Sequence, residues 1–336
     1  MKAAVFRGLD QALEIQEVAA PKPAADEVVI QVGRCGICGS DLHMTHDPTF
    51  GIQPGAVLGH EFAGEVVETG RDVTGLKVGD LVAAAPVRGC GRCSSCLAGE
   101  PAWCQQMMLQ GGGYAEFATA TERQCLKLPA STSVADGALV EPLAVALHGV
   151  VRGKIAPGSR VLVIGAGPIG LGVVFWARRL GAARVAVSDL TTLQRDLAFQ
   201  LGATAFEQTG PDAVARVDGA LGGAPDVVFE CVGKPGLLTQ SLEHVARRGR
   251  IIVLGLCTLP DSFVPFQAVS KEVDFVTSAF FDMHEYQASL DALDGGKAPA
   301  SAMVTDTVPL AAMPPVFEAL RQRTSQCKVL VQPGKA

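Results

Sequence analysis

The sequence predicts an α/β chain of two domains, one built on an irregular β sheet and the other on a doubly wound parallel sheet. Three observations point there. Residues 2–6, 12–18, 27–32, 61–69 and 80–86 read as half-buried strands separated by turn signals, such as Pro21-Lys-Pro23 and Gly79-Asp80. From Ser159 onward, strands and helices alternate, the pattern of a parallel sheet with right-handed helical crossovers. A length of 336 residues is enough for two domains, each burying its own core.

Composition narrows the function. Hydrophobic residues make up 48% and charged residues 18%, which places the chain among globular proteins rather than disordered ones. The net charge is −6 and no basic run occurs, which argues against nucleic acid or an anionic membrane surface as partner. Charge arrives too early in Met1–Asp10 for a signal-peptide core. Val161–Ala177 carries no charge, yet three glycines within residues 165–170 and Pro168 read as a buried strand, a tight turn and a helix start rather than a membrane span. Four of the ten cysteines fall in one compact run, which points to metal binding in a reducing compartment, the cytoplasm.

The first chemical motif is Cys35-Gly-Ile-Cys-Gly-Ser-Asp-Leu-His43, on a glycine-rich turn between a strand and a short helix, with Gly59-His60-Glu61 downstream. Thiolate, imidazole and carboxylate together suit Zn²⁺, and three protein ligands leave a position for water or substrate. Cys38, His60 and Glu61 are the candidate ligands. A surface His-Glu pair at a strand start is the bland alternative, and the nearby Cys38 disfavours it.

Cys90, Cys93, Cys96 and Cys104 form a C-x₂-C-x₂-C-x₇-C loop. Four thiolates close a tetrahedral shell with no open position, so a zinc here is structural. An Fe–S cluster or two disulfides are the competing readings, and the loop lacks the C-x₃-C-P ending of one common cluster type. Val140–His148 starts a helix in which Glu141 either precedes the first turn or reaches the active-site metal.

A mostly apolar strand, Ser159–Ile164, leads into Gly165-Ala-Gly167-Pro168-Ile169-Gly170 and a helix to about Leu180. The next strand, Arg184–Ser188, ends at Asp189. This is a dinucleotide fingerprint: Gly165 for the turn, Gly167 for approach of the pyrophosphate, Gly170 for helix–strand packing. Asp189 would accept from the ribose hydroxyls and repel a 2′-phosphate, favouring NAD over NADP, with Arg195 softening that preference. Further helices are expected at 193–201, 211–221 and 237–246, and strands at 226–231, 250–254 and 273–280. Cys231, Val232, Leu254 and Gly255 fall at strand ends, where a cofactor lies. The tail has helices at 285–294 and 313–321 and a strand at 328–332, and belongs with the first domain.

Taken together, these motifs resemble the zinc-dependent medium-chain alcohol dehydrogenases over essentially the whole chain. The likeness is greatest to the butanediol and sorbitol dehydrogenase branch and is carried by residues 35–43, 59–65, 90–104, 140–148 and 226–233. The resemblance implies a GroES-like catalytic domain over 1–142, with 281–336 returning to it, and a Rossmann domain over 143–280. It also implies a homodimer or homotetramer with one catalytic and one structural zinc per chain. By the same likeness Cys38, His60 and Glu61 bind the catalytic zinc, and Glu141 stands at its fourth position, where the polyol branch keeps a glutamate. Ser40 and His43 are its proton relay and Asp41 the partner of the histidine ligand. The implied reaction is hydride transfer between NAD and a secondary alcohol, a vicinal diol or polyol, with threonine 3-dehydrogenase activity as the alternative. A non-catalytic nucleotide-binding relative is the reading from another class, and it would not need the zinc ligands kept here.

Overall fold

The computed structural model describes residues 1–294, 299–322 and 325–334. The chain divides into two compact units, Met1–Glu141 together with Asp282–Ala336, and Pro142–Phe281.

The first unit is organised around one strand, Glu27–Gly36, whose run of β-branched residues is buried over most of its length. It pairs antiparallel with Glu61–Thr69, Phe117–Thr121 and Lys328–Gln332, and its position inside a seven-stranded sheet fixes it from both edges. Val28, Ile30 and Val32 pack with Phe62, Val66 and Val82, and the returning tail adds Phe317, Val329 and Val331 to the same core. The strand runs four residues beyond the expected Val32 because its later half finds partners in both Glu61–Thr69 and the C-terminal strand.

The second unit holds six parallel strands with helices between them. Numbered within the unit, the strands Arg160–Ile164, Arg184–Asp189, Ala205–Gln208, Val227–Glu230, Arg250–Val253 and Asp274–Thr277 lie in the order 3-2-1-4-5-6, the doubly wound dinucleotide-binding arrangement. Order reverses beside Arg160–Ile164, the switch point where this fold binds its ligand. The uncharged stretch from Val161 to Ala177 resolves into the central strand, the glycine turn and the helix Pro168–Arg179. Among the described residues no helix is long and apolar enough to cross a membrane.

Local differences have local causes. The last strand stops at Thr277 rather than Phe280, whose backbone turns into the left-handed region at φ 58°. Pro142 lies in the first turn of the helix Val140–Gly153 rather than at its first residue. The strands Phe117–Thr121, Cys125–Lys127, Ala205–Gln208 and Val304–Pro309 and the helix Pro265–Lys271 were not anticipated, being short and, in several cases, built of Ala, Thr and polar residues.

Candidate active site

Antiparallel register brings the first motif together. Gly36 pairs with Glu61 across the central strands, so Cys38, just past the end of one, faces His60 and Glu61 at the start of the other. Cys38 caps the helix Gly39–Met44, which carries Ser40, Asp41 and His43. One ligand atom from each of Cys38, His60 and Glu61 lies within 4.8 Å of the others.

Asp41 orients the imidazole. Its Oδ1 is 3.1 Å from His60 Nδ1, and its carboxylate also accepts from the Cys38 N–H at 3.3 Å and from the Tyr114 hydroxyl. A proton fixed on Nδ1 would leave the Nε2 lone pair open to a metal. Burial works against charge on Asp41, yet His60 and Tyr114 hold its carboxyl below the usual range. Burial likewise disfavours the His60 imidazolium, and the Asp41 carboxylate outweighs it and raises the ring well above 6.5. Burial and the Asp41 charge push the Tyr114 phenol up, so it remains a donor. Ser40 Oγ donates to Cys38 Sγ at 3.2 Å and lies 3.4 Å from His60 Nε2. His43 is exposed one turn further along the same helix, on the face that Ser40 shares.

Glu61 is held by a cation that was not expected. Lys328, the first residue of the C-terminal strand, donates to Glu61 Oε1 at 2.8 Å and Oε2 at 2.6 Å, and to the Ile37 carbonyl at 3.0 Å. Burial alone would lower the Lys328 ammonium, and Glu61 more than reverses this. Gly36 makes room for the carboxylate, since a β-carbon there would fall 2.0 Å from Glu61 Oε2. Glu141 is buried in the first turn of its helix and outside the close trio of ligand atoms. Burial raises it to about 7, with His60 and Lys328 opposing and Glu61 and Asp41 reinforcing the shift.

The ligand atoms of Cys90, Cys93, Cys96 and Cys104 also lie within 4.8 Å of one another. All ten cysteines are free thiols, so no disulfide competes. Backbone N–H groups of Arg92 and Cys93 draw the Cys90 thiol down to about 6, whereas burial lifts Cys96 to about 12. The four sulfurs, three of them accepting from backbone amides, suit a metal that takes thiolates.

In the second unit the glycines shape the turn that opens the helix Pro168–Arg179. Gly165 has φ 99°, and a side chain there would strike Val232, while a β-carbon on Gly170 would meet the Gly165 carbonyl. Gly167 caps the helix beginning Pro168-Ile169 and its Cα faces open space, leaving room for a phosphate at the helix N-terminus. Asp189 Oδ2 accepts from the Ala166 N–H at 2.8 Å and Oδ1 from the Thr191 N–H at 3.1 Å. Glu230 was missed by the sequence reading. Its Oε1 accepts from Val232 and Gly233, and its backbone carbonyl from Leu254 and Gly255, tying the two strand-end loops together. Cys231 lies between them with its thiol raised by burial.

Tyr114 and Lys328 were missed as well. Lys328 had one local signal, a charged residue opening a strand that is otherwise Val, Leu and Val.

Comparison with known proteins agrees with this geometry. Residues 24–130 match the alcohol dehydrogenase GroES-like domain and residues 168–295 the zinc-binding dehydrogenase domain. A sorbitol dehydrogenase from Bombyx mori is 33% identical over 92% of this chain and 92% of its own length. A zinc-binding dehydrogenase from Sinorhizobium meliloti 1021 bound to NADP superposes with TM-score 0.89 at 32% identity, covering 99% of both chains. The 2R,3R-butanediol dehydrogenase of Bacillus subtilis does so with TM-score 0.88 at 31% identity, again over 99% of both. With both domain models matched in order and relatives aligned almost end to end, the chain belongs to the zinc-dependent medium-chain alcohol dehydrogenases, in their polyol dehydrogenase branch.

Proposed function

We propose that the protein oxidises a secondary alcohol with a neighbouring hydroxyl, a vicinal diol or polyol, and passes the hydride to NAD. The observation that carries this is the convergence of Cys38, His60 and Glu61 within 4.8 Å, with Asp41 behind the imidazole. A soft thiolate, an oriented imidazole and a carboxylate fit Zn²⁺, with Glu141 as the fourth, exchangeable ligand. Bound there, Zn²⁺ supplies Lewis acidity at the alcohol oxygen. Ser40 Oγ, beside both Cys38 and His60, takes the alcohol proton, and His43 on the solvent side of the same helix passes it on. The four-cysteine loop holds a second, structural zinc. The sorbitol and butanediol dehydrogenases among the relatives support a polyol or diol as substrate.

Asp189 favours NAD. It ends its strand in a buried position, and a 2′-phosphate would meet its carboxylate. Leu190 follows it, and the Arg195 guanidinium lies 5.7 Å from the centre of the Phe199 ring, a contact that supports the ring rather than a phosphate. The NADP in the Sinorhizobium relative makes cofactor preference a direct test of this carboxylate.

The protein acts as a homodimer or homotetramer. Support comes from the edge strand Asp274–Thr277, which is largely exposed and adjoins the helix Pro265–Lys271, whose Phe266 and Val269 are also exposed. Such an edge is a pairing surface that proteins cover. Ten free thiols suit the reducing cytoplasm.

A metal count and a panel of diols, polyols and threonine followed by NADH absorbance test the reading. About two zinc ions per chain and NAD-linked oxidation of vicinal diols are expected. A single zinc, held by the four-cysteine loop, with no alcohol oxidised would overturn it.

A further inference from the structure

The helix Gly39–Met44 has six residues and carries Ser40, Asp41 and His43. A helix this short does not hold itself in water, and its last carbonyls lack partners within the helix. Those of Asp41 and His43 accept from the backbone N–H groups of Thr45, His46 and Asp47 just beyond it, and that of Leu42 finds its partner in Arg321, nearly three hundred residues away. Its Nη1 donates to the Leu42 carbonyl at 2.8 Å, and its Nη2 donates to Thr45 Oγ1 at 2.8 Å. That hydroxyl lies 3.1 Å from the carbonyls of both Asp41 and Leu42 and shares its one donor hydrogen between them. A cation at a helix C-terminus also complements the helix dipole.

Arg321 is itself built into place. Glu318 accepts from its Nε at 2.7 Å and from Nη2 at 3.2 Å, and the guanidinium lies 5.6 Å from the centre of the Phe317 ring. Phe317 is fully buried and meets Tyr114 edge-on with 6.3 Å between ring centres, and the Tyr114 hydroxyl donates to Asp41. A closed circuit results. The C-terminal segment grips the short helix at its end through Arg321, and its Phe317 packs against the Tyr114 that donates to Asp41.

We infer that Arg321 is a positioning residue for proton transfer, holding the end of the helix so that Ser40 and His43 keep their places relative to Cys38 and His60. This rests on the reading of Ser40 and His43 as the proton path. Arg321 touches no reacting atom and acts through the helix alone. Arginine suits the role because its planar fork reaches a carbonyl and a hydroxyl from two separate nitrogens held in fixed geometry, where a lysine has a single nitrogen on a flexible stem.

The test uses the zinc-loaded full-length enzyme and three variants, Arg321→Ala, Arg321→Lys and Thr45→Val. Hydrogen exchange of the segment 38–47 reads the tether without reference to activity, and alcohol oxidation reads its consequence. Expected for Arg321→Ala are faster exchange in that segment and a fall in kcat of about tenfold. The KM for NAD stays unchanged, and the solvent deuterium isotope effect on kcat rises because the proton step has become limiting. Arg321→Lys restores part of kcat, and Thr45→Val, which keeps the arginine, moves kcat in the same direction as Arg321→Ala. Should Arg321→Ala fail to fold, the other two variants decide. Faster exchange with unchanged kcat and isotope effect would overturn the inference, leaving Arg321 a structural tether, as would unchanged exchange. A wild-type enzyme that oxidises no alcohol would overturn the proposed function instead, while the exchange comparison would still read the tether.

Discussion

Lys328 Nζ donates to both carboxylate oxygens of Glu61, and both side chains are fully buried. A buried pair of this kind contributes little over an apolar one, but breaking it strands a charge. Lys328→Met should destabilise the protein by about 3–5 kcal/mol, read from urea unfolding at neutral pH. Glu61→Gln added to it should recover part of the loss. A single variant as stable as wild type would show that the Glu61 charge has another partner of equal strength.

Asp41 accepts from His60 Nδ1, the Cys38 N–H and the Tyr114 hydroxyl, so it sets both the tautomer and the angle of the imidazole. Replacing a partner of this kind weakens metal binding by about 10–100-fold. Asp41→Asn should therefore lower the affinity for one zinc in a competitive chelator titration and leave the second zinc in place. Loss of both together would tie Asp41 to the fold rather than to His60.

Burial holds Glu141 at about 7 in the folded protein, above its ordinary 4.5. A carboxyl raised on folding binds its proton more tightly when folded, so its contribution is greatest below about 4.5 and is lost as pH rises through 7. With metal removed, the stability of wild type relative to Glu141→Gln should fall by about 3 kcal/mol between pH 4.5 and pH 8. Equal pH dependence of the two proteins would show that Glu141 ionises freely. A Glu141→Ala enzyme with full activity and full metal affinity would remove Glu141 from the ligand set.

The loop of Cys90–Cys104 has only the short turns Ser94–Leu97 and Pro101–Trp103, and the two-residue strand pair Val87–Arg88 with Met108–Leu109 at its base. Structure so slight depends on its thiolates being bound together. Cys96→Ser should lose one zinc per chain and open the loop to proteolysis between residues 90 and 104. A loop that resists protease after the metal is lost would show that its own packing holds it.

Much of the site was legible because its chemistry is local. Cys38, Ser40, Asp41 and His43 fall within six residues, His60 and Glu61 are adjacent, and the four cysteines and three glycines each occupy one loop. What escaped is what these residues lean on. Tyr114 meets Asp41 from 73 residues away, Lys328 meets Glu61 from 267, and Arg321 meets Thr45 from 276. No local pattern encodes such pairings, since they follow from strand register and the return of the tail. The same holds for the fold. Alternation revealed the strands rich in Val and Ile, whereas Ala205–Gln208, an edge strand of Ala, Phe, Glu and Gln, gains its identity only by pairing with Arg184–Asp189.

The central strand of the first unit takes one partner from Glu61–Thr69 and another from Lys328–Gln332. During synthesis, that unit stays without this strand until residues 328–332 have left the ribosome. The second unit, Pro142–Phe281, emerges as one uninterrupted piece and can fold while the first still waits. Nascent chains arrested after residue 320 should thus hold a protease-resistant core from about 142 to 281, with the segment before it still cleavable. Glu61 then meets Lys328 only after the second unit has emerged, which makes the returning segment the step that completes the first unit.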